Sequence, residues 1–268
     1  MYFFFVSLII CVAALTYMRY EAGRFKVNRI YFTNASNPLK VIHLSDIHLK
    51  YLCVDVDKVA SVIIKEKPDF IILTGDYINH PHQINIFLSF LKEIKGNHRV
   101  FLCFGNHDYG TFSYNESKIM DFTRKIESIG VTVLHNKSVC LQKDSRKYNL
   151  IGIEDLRLRR YNVEKALSSC CEDAKVNIAI SHNPDIVFKL PKDKVDYLLC
   201  GHFHGGQIWM PFGMEFKLMR RERLCKMGIV KGVNKVNDIT LYINSGLGNV
   251  LFPLRFLSPP EIAIIYFP

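Results

Sequence analysis

The chain has 268 residues, of which 49% are hydrophobic and 22% charged. That length suits one large α/β domain with a short appendage, and the composition excludes a disordered or fibrous protein. A formal net charge of +10 attracts polyanions but does not choose among anionic lipid, nucleic acid and phosphorylated substrates. Eight cysteines without a Cys-x-x-Cys pair, several of them inside apolar runs, read as free thiols of a reducing compartment rather than as a disulfide framework.

Met1 to Met18 is apolar apart from Ser7, Thr16 and two tyrosines. As a helix it would span about 27 Å against a hydrocarbon core of about 30 Å, which is enough to cross. A cleavable signal peptide is the competing reading, but no cationic residue precedes the stretch and no A-x-A site follows it. Arg19, Arg24, Lys26 and Arg29 come next, so the positive-inside rule places the rest of the chain on the cytoplasmic side of a cell membrane, as a single-pass protein. The expected organisation is an anchor over residues 1–18, a juxtamembrane strand (27–32) and linker over 19–39, and a catalytic domain over 40–268.

Lys40 to Ser45 is a β-branched strand that runs into Asp46, and Val54 to Lys67 repeats apolar residues at helical spacing. The unit recurs. Asp69 to Thr74 leads to Gly75-Asp76 and a helix over Ile84 to Ile94, then Arg99 to Phe104 leads to Gly105-Asn106-His107-Asp108 and a helix over Glu116 to Ile129. Asp46, Asp76 and Asn106 are thirty positions apart, the spacing of successive right-handed βαβ crossovers, which bring their polar ends to one edge of a mainly parallel sheet. Short strands follow at 131–134, 139–142 and 148–153, with a helix over Asn162 to Cys171. Buried strands at 176–181 and 195–200 end at His182 and Gly201-His202, and late strands at 239–244 and 261–266 complete a second sheet. The predicted fold is an α/β four-layer αββα sandwich of two mixed sheets, preceded by a transmembrane helix.

Each of these strand ends carries a hard or borderline metal ligand: Asp46-x-His48, Asp76, Asn106, His182 and His202-x-His204. Carboxylate, amide oxygen and imidazole suit two divalent ions such as Mn, Fe, Zn or Co, and a ligand set without cysteine argues against a structural zinc. Paired ions of this kind activate water near neutral pH and clamp an in-line displacement at phosphorus. Taken singly each element is an ordinary turn residue; their joint order is what points to a metal centre. His80-Pro81-His82 mimics a ligand pair but lies beyond the Asp76 loop and reads as surface. Vicinal Cys170-Cys171 reads as a half-buried pair on a helix, and Glu154-Asp155 has no assigned role.

Asp46-Ile47-His48, Gly75-Asp76, Gly105-Asn106-His107-Asp108, Ser181-His182 and Gly201-His202-Phe203-His204 resemble, in order, the five blocks of the calcineurin-like metallophosphoesterase superfamily over about residues 40–268. Gly205-Gly206-Gln207, Ser245-Gly246-Leu247-Gly248 and the Pro253 to Glu261 stretch are further similar to the bacterial subgroup of YkuE- and YaeI-type phosphodiesterases and a lipid A pathway pyrophosphatase acting on UDP-diacylglucosamine. The resemblance implies one ion on Asp46, His48, Asp76 and His204 and the other on Asp76, Asn106, His182 and His202, with Asp76 as the bridge. It further implies attack by a metal-bridging hydroxide, with His107 protonating the leaving oxygen or stabilising its charge and Asp108 orienting the His107 imidazole.

Neither the ligands nor the resemblance names the ester. Trp209 to Met227 mixes Trp209, Met210, Phe212, Met214, Phe216, Leu218 and Met219 with Lys217, Arg220, Arg221 and Arg223, which favours a lipid-linked phosphate ester at a membrane surface; the plain alternative is a core strand and loop. A tethered phosphatase, nuclease or cyclic-nucleotide phosphodiesterase acting on a soluble ester is the second reading, and a non-enzymatic metal scaffold the third. No specific nucleic-acid binding is expected, because the apolar Trp209 to Met227 region favours lipid over nucleic acid, which prefers aromatic platforms interleaved with lysine and arginine along a groove.

Overall fold

The computed structural model describes residues 1–268, with the side chains of Leu218 and Met219 outside the described set. In chain order the elements are α1 (Tyr2–Ala22), β1 (Lys26–Tyr31), β2 (Leu39–Leu44), α2 (Val56–Glu66), β3 (Phe70–Thr74), α3 (Ile84–Lys95), β4 (Arg99–Cys103), α4 (Asn106–Thr111), α5 (Glu116–Glu127), β5 (Val131–Val133), β6 (Lys137–Lys143) and β7 (Arg146–Gly152). After them come α6 (Val163–Leu167), β8 (Val176–Ile180), β9 (Tyr197–Cys200), α7 (Met214–Met219), α8 (Arg223–Lys226), β10 (Gly232–Val236), β11 (Ile239–Ile243) and β12 (Glu261–Phe267).

Two six-stranded sheets form, ordered β1-β12-β2-β3-β4-β5 and β10-β11-β9-β8-β7-β6. Within the first, β2 to β5 are mutually parallel and β12 runs antiparallel to β2. Within the second, β7, β8, β9 and β11 are parallel, with β6 and β10 as antiparallel edges. Alternate residues of each central strand face opposite ways, so one strand serves two cores. Val41, Ile72, Phe101 and Cys103 meet Leu150, Ile178 and Leu199 between the sheets. Their neighbours Ile42, Ile71, Val100 and Leu102 pack outward on Val59, Ile63, Phe87, Leu91, Phe122 and Ile126 of the helices. A third cluster covers the far face of the second sheet, with Ile151, Leu198 and Ile243 against Ala166, Ile186 and Leu224. Three apolar layers between four layers of structure make the expected αββα sandwich.

Four assignments differ from the sequence reading. β12 joins the first sheet between β1 and β2, because Ile262 and Ile264 face the helices while Ala263, Ile265 and Phe267 face the second sheet. A strand apolar on both sides needs a central position, and that is where cover exists on both faces. β5 also belongs to the first sheet, paired parallel to β4. The helix expected to Cys171 stops at Leu167, where two serines follow and the Asn149 side chain bonds the Cys171 backbone, with its Nδ2 donating to the carbonyl at 3.0 Å and its Oδ1 accepting from the N–H at 2.8 Å. The stretch after Trp209 is the pair of short helices α7 and α8 rather than a core strand.

α1 is long and apolar enough to cross a membrane, and its apolar side chains are exposed along its length. It continues past the apolar stretch to Ala22, which is buried. There it docks on the domain: Arg255 N donates to Met18 O at 3.1 Å, Leu257 N donates to Glu21 Oε2 at 2.8 Å, and Tyr17 meets Phe256 edge-on at 6.0 Å.

Candidate metal centre

Asp46 and His48 follow β2, Asp76 follows β3, and Asn106 opens α4 directly after β4; His182 follows β8, and His202 and His204 follow β9. The first three strands are parallel neighbours and the last two are parallel neighbours in the facing sheet, so all seven side chains collect at one end of the sandwich. Backbone bonds sew the loops together: Asp46 N to Gly75 O at 3.0 Å, His48 N to Asp76 O at 3.0 Å, Gly201 N to His182 O at 3.1 Å and Gly248 N to Asp46 O at 2.7 Å. Asp46, His48, Asp76, His202 and His204 all have positive φ, a region costing a non-glycine residue about 1–3 kcal/mol and held only where the surroundings over-determine it. The loops touch so closely that glycine is required at Gly201, where a Cβ would overlap Ser45 Oγ and Asp46 Oδ2.

Two buried triads result, Asp46-His48-His204 and Asp76-His182-His202, with the ligand atoms of each within 4.8 Å of one another. Asp76 stands between them: its Oδ2 is 3.0 Å from His182 Nε2 and 3.7 Å from His48 Nε2, while its Oδ1 accepts from His107 N at 2.8 Å. His204 Nε2 lies 3.2 Å from Asp46 Oδ1, and His202 Nδ1 lies 3.0 Å from His182 Nε2. His48 Nε2 and Asn106 Oδ1 are buried without a hydrogen-bond partner. Buried polar atoms left without partners are costly, and this oxygen and nitrogen set is one that first-row divalent ions satisfy, so the residues fit a metal pair.

The surrounding groups prepare the ligands. His182 Nδ1–H donates to Thr74 O at 2.8 Å, which turns Nε2 into the site. Burial alone would lower the His182 imidazole, yet the Asp76 carboxylate, its hydrogen bond, Asp46 and Asp155 carry it up to about 10. Burial likewise favours a protonated Asp76, but His182 holds its carboxyl well below the usual range. His48 and His202 go the other way: burial lowers them to about 3 and about 4, which leaves neutral imidazoles with a lone pair to offer.

Two supporting residues escaped sequence reasoning. Glu222 Oε1 lies 3.0 Å from His202 Nε2, on the ring edge opposite Nδ1; its position inside the run Arg220-Arg221-Glu222-Arg223 hid it among cations. Asn79 presents Oδ1 to His48 Nδ1 at 3.4 Å and Nδ2 to His107 Nδ1 at 3.2 Å. One amide thus keeps the His48 proton on Nδ1, freeing Nε2, and keeps the His107 proton on Nε2.

Asp108 requires a correction, because it does not orient His107. Its Oδ2 accepts from Asp76 N at 2.8 Å and Gly105 N at 2.9 Å, and its Oδ1 accepts from Tyr77 N at 2.8 Å and Ile78 N at 3.2 Å. It is a clasp for the two loops, and Asn79 holds the imidazole. Glu154 acquires a role as well: it accepts from Tyr109 Oη at 2.5 Å and Asn136 Nδ2 at 2.6 Å, bracing α4 from the second sheet. His80 and His82 are exposed, as expected.

Stacked mixed sheets with two buried nitrogen and oxygen triads at a common end define a dinuclear type of metal centre. The chain belongs to the calcineurin-like phosphoesterase family, whose model matches residues 39–206. It is 30% identical to the uncharacterized metallophosphoesterase YkoQ of Bacillus subtilis over 97% of this chain and 98% of that protein. It is 29% identical to the phosphodiesterase YaeI of Escherichia coli, over 93% and 91% of the respective chains. Identity to the UDP-2,3-diacylglucosamine pyrophosphatase LpxG of Chlamydia trachomatis is 26%, over 85% and 83%. The domain is a phosphoesterase with two candidate metal sites.

Proposed function

We propose that the chain is a metal-dependent phosphodiesterase or pyrophosphatase, anchored by α1 with its domain on the cytoplasmic side, that hydrolyses a lipid-linked phosphate ester. The observation that carries the hydrolytic reading is the meeting of the two triads at Asp76, beside a cleft of about 790 Å³ that is also lined by His107, Arg157, Arg220 and Arg221. Asp46, His48, Asp76 and His204 would hold one divalent ion and Asp76, Asn106, His182 and His202 the other; such a pair supplies an activated water and neutralises charge at phosphorus. With its Nδ1 accepting from Asn79, His107 presents its Nε2–H to the leaving oxygen, where that hydrogen bond stabilises the developing charge. Asp108 keeps the loops bearing Asp76 and His107 at their mutual distance. Arg220, tied to His202 O at 3.0 Å, and Arg221 offer guanidinium groups to the phosphate.

The activities named for the relatives YaeI and LpxG support a diester or pyrophosphate, and that of LpxG supports a lipid-linked one. Anchoring is supported by the docking of α1, since removal of that segment would strip Arg255 N and Leu257 N of their acceptors. Arg19, Arg24, Lys26 and Arg29 after the apolar stretch support the cytoplasmic side. The test is metal-depleted protein reloaded with Mn²⁺, Zn²⁺ or Mg²⁺ and assayed on a generic phosphodiester, a phosphomonoester and a lipid-linked pyrophosphate, together with Asn106→Ala and His107→Ala. Metal-dependent turnover that favours diester or pyrophosphate and falls in both variants is the expected result. Protein that takes up no divalent metal, or variants as active as wild type, would refute it.

A further inference from the structure

We propose that the apolar cavity adjoining the metal cleft seats an acyl chain, the tail of a phosphate-ester lipid whose phosphate lies over the metal centre. The inference rests on the hydrolytic reading above and adds where the lipid is held.

The cavity measures about 230 Å³ and is walled mainly by Phe203, Ile208, Met210, Phe216, Val250 and Phe252. It adjoins the catalytic cleft, since His204, Arg220 and Val250 line both. A molecule with its phosphate at the metal ligands and arginines can therefore lay an attached apolar segment in the neighbouring cavity. Such a pairing of a cationic polar site with an apolar chamber matches an amphipathic ligand. The one carboxylate in the wall, Glu215, accepts from Met210 N at 3.2 Å.

The mouth is lined by side chains that a soluble domain gains nothing by exposing: Leu251 is 63% exposed, Phe252 61% and Met210 37%, with Phe212 beyond at 85%. Its wall is preformed, because the Gln207 side chain clamps the 250–254 loop, with Nε2 donating to Val250 O at 2.9 Å and Phe252 O at 3.2 Å and Oε1 accepting from Val250 N at 2.7 Å. Directly after that loop come Arg255, Phe256 and Leu257, which contact the last turns of α1. The segment that shapes the cavity is thus the segment on which the apolar helix docks, so a helix in the bilayer brings the mouth to the leaflet surface. Cavity, mouth and anchor together commit the occupant to an acyl chain drawn from that leaflet.

The test uses the full chain in detergent with pyrophosphate esters bearing four-, eight- and twelve-carbon tails. Wild type is expected to lower KM at least tenfold from the four- to the eight-carbon tail, the effect of burying about two methylenes. In Met210→Trp, which fills the cavity, and Phe252→Asp, which charges its mouth, the chain-length preference should shrink to less than twofold, with unchanged thermal unfolding. As a measurement independent of turnover, metal-depleted protein in phosphatidylcholine vesicles is photolysed with a phosphate lipid carrying a diazirine at its tail end. Adducts on residues 203–216 or 250–252 support the proposal, and adducts confined to α1 overturn it. Turnover of lipid esters with the preference intact in both variants overturns the cavity assignment alone. Turnover of a generic diester with none of any lipid ester overturns the lipid substrate itself.

Discussion

Asp108→Asn separates a clasp from an imidazole partner. The carboxylate of Asp108 is buried and both oxygens are saturated by backbone donors, Oδ2 by Asp76 and Gly105 and Oδ1 by Tyr77 and Ile78. Asparagine keeps the shape but turns one oxygen into an NH₂ group. Whichever way the amide sits, two buried N–H groups then face a donor. Each such loss costs about 1–3 kcal/mol, for a total of about 2–6 kcal/mol. In a chain of this size 1 kcal/mol shifts Tm by about 2–4 °C, so thermal unfolding of the chelated protein should drop by about 4–24 °C. The residual activity, assayed well below the new Tm, should keep the pH profile of the wild type, because His107 is held by Asn79 and not by Asp108. A variant that melts within a degree or two of wild type, or one whose pH profile moves while Tm does not, would refute the reasoning.

Glu222→Gln removes the carboxylate 3.0 Å from His202 Nε2 and should weaken divalent-metal affinity about 10–100-fold in a chelator competition; a change below twofold would sink that role. Asn79→Ala frees the tautomers of His48 and His107 and should lower kcat about tenfold with KM nearly unchanged, against a loss of about 10²–10⁴ for His107→Ala; an effect confined to KM would contradict it. In metal-free protein the His182 pKa rises from an ordinary 6.5 to about 10 beside Asp76, so its proton contributes stability in full below 6.5 and that contribution is lost as pH rises through about 10. The Tm of chelated protein should therefore fall across that window while manganese-loaded protein, whose His182 has no proton to lose, does not share the fall. A flat curve for the chelated form would show that the pairing with Asp76 is weak.

Where the sequence was read correctly, the signal was local. Apolar runs ending in Asp46, Asp76, Asn106, His182 and His202 identify strands and place candidate ligands at their ends, because strand periodicity and turn chemistry act over a few residues. The thirty-residue spacing identifies the parallel crossovers of the first sheet. Asn79 lay three residues beyond a recognised ligand, yet its two imidazole contacts come from separate strand ends and carry no spacing signal. Glu222 sat in a basic run at the residue just before α8, and its contact with His202 depends on how α8 packs on the second sheet.

The sequence by itself determined the inventory: which residues are apolar on which strand face, which side chains can ligate a divalent ion, and that an apolar helix leads the chain. Tertiary structure alone decided how these parts divide the work. It put β12 inside the first sheet between β1 and β2, made Asp108 a clasp, let five candidate ligands keep positive φ, and set an apolar cavity beside the metal cleft. The physical reason is that burial on both faces of a strand, satisfaction of buried N–H groups and support for strained backbone are all supplied by segments distant in the chain.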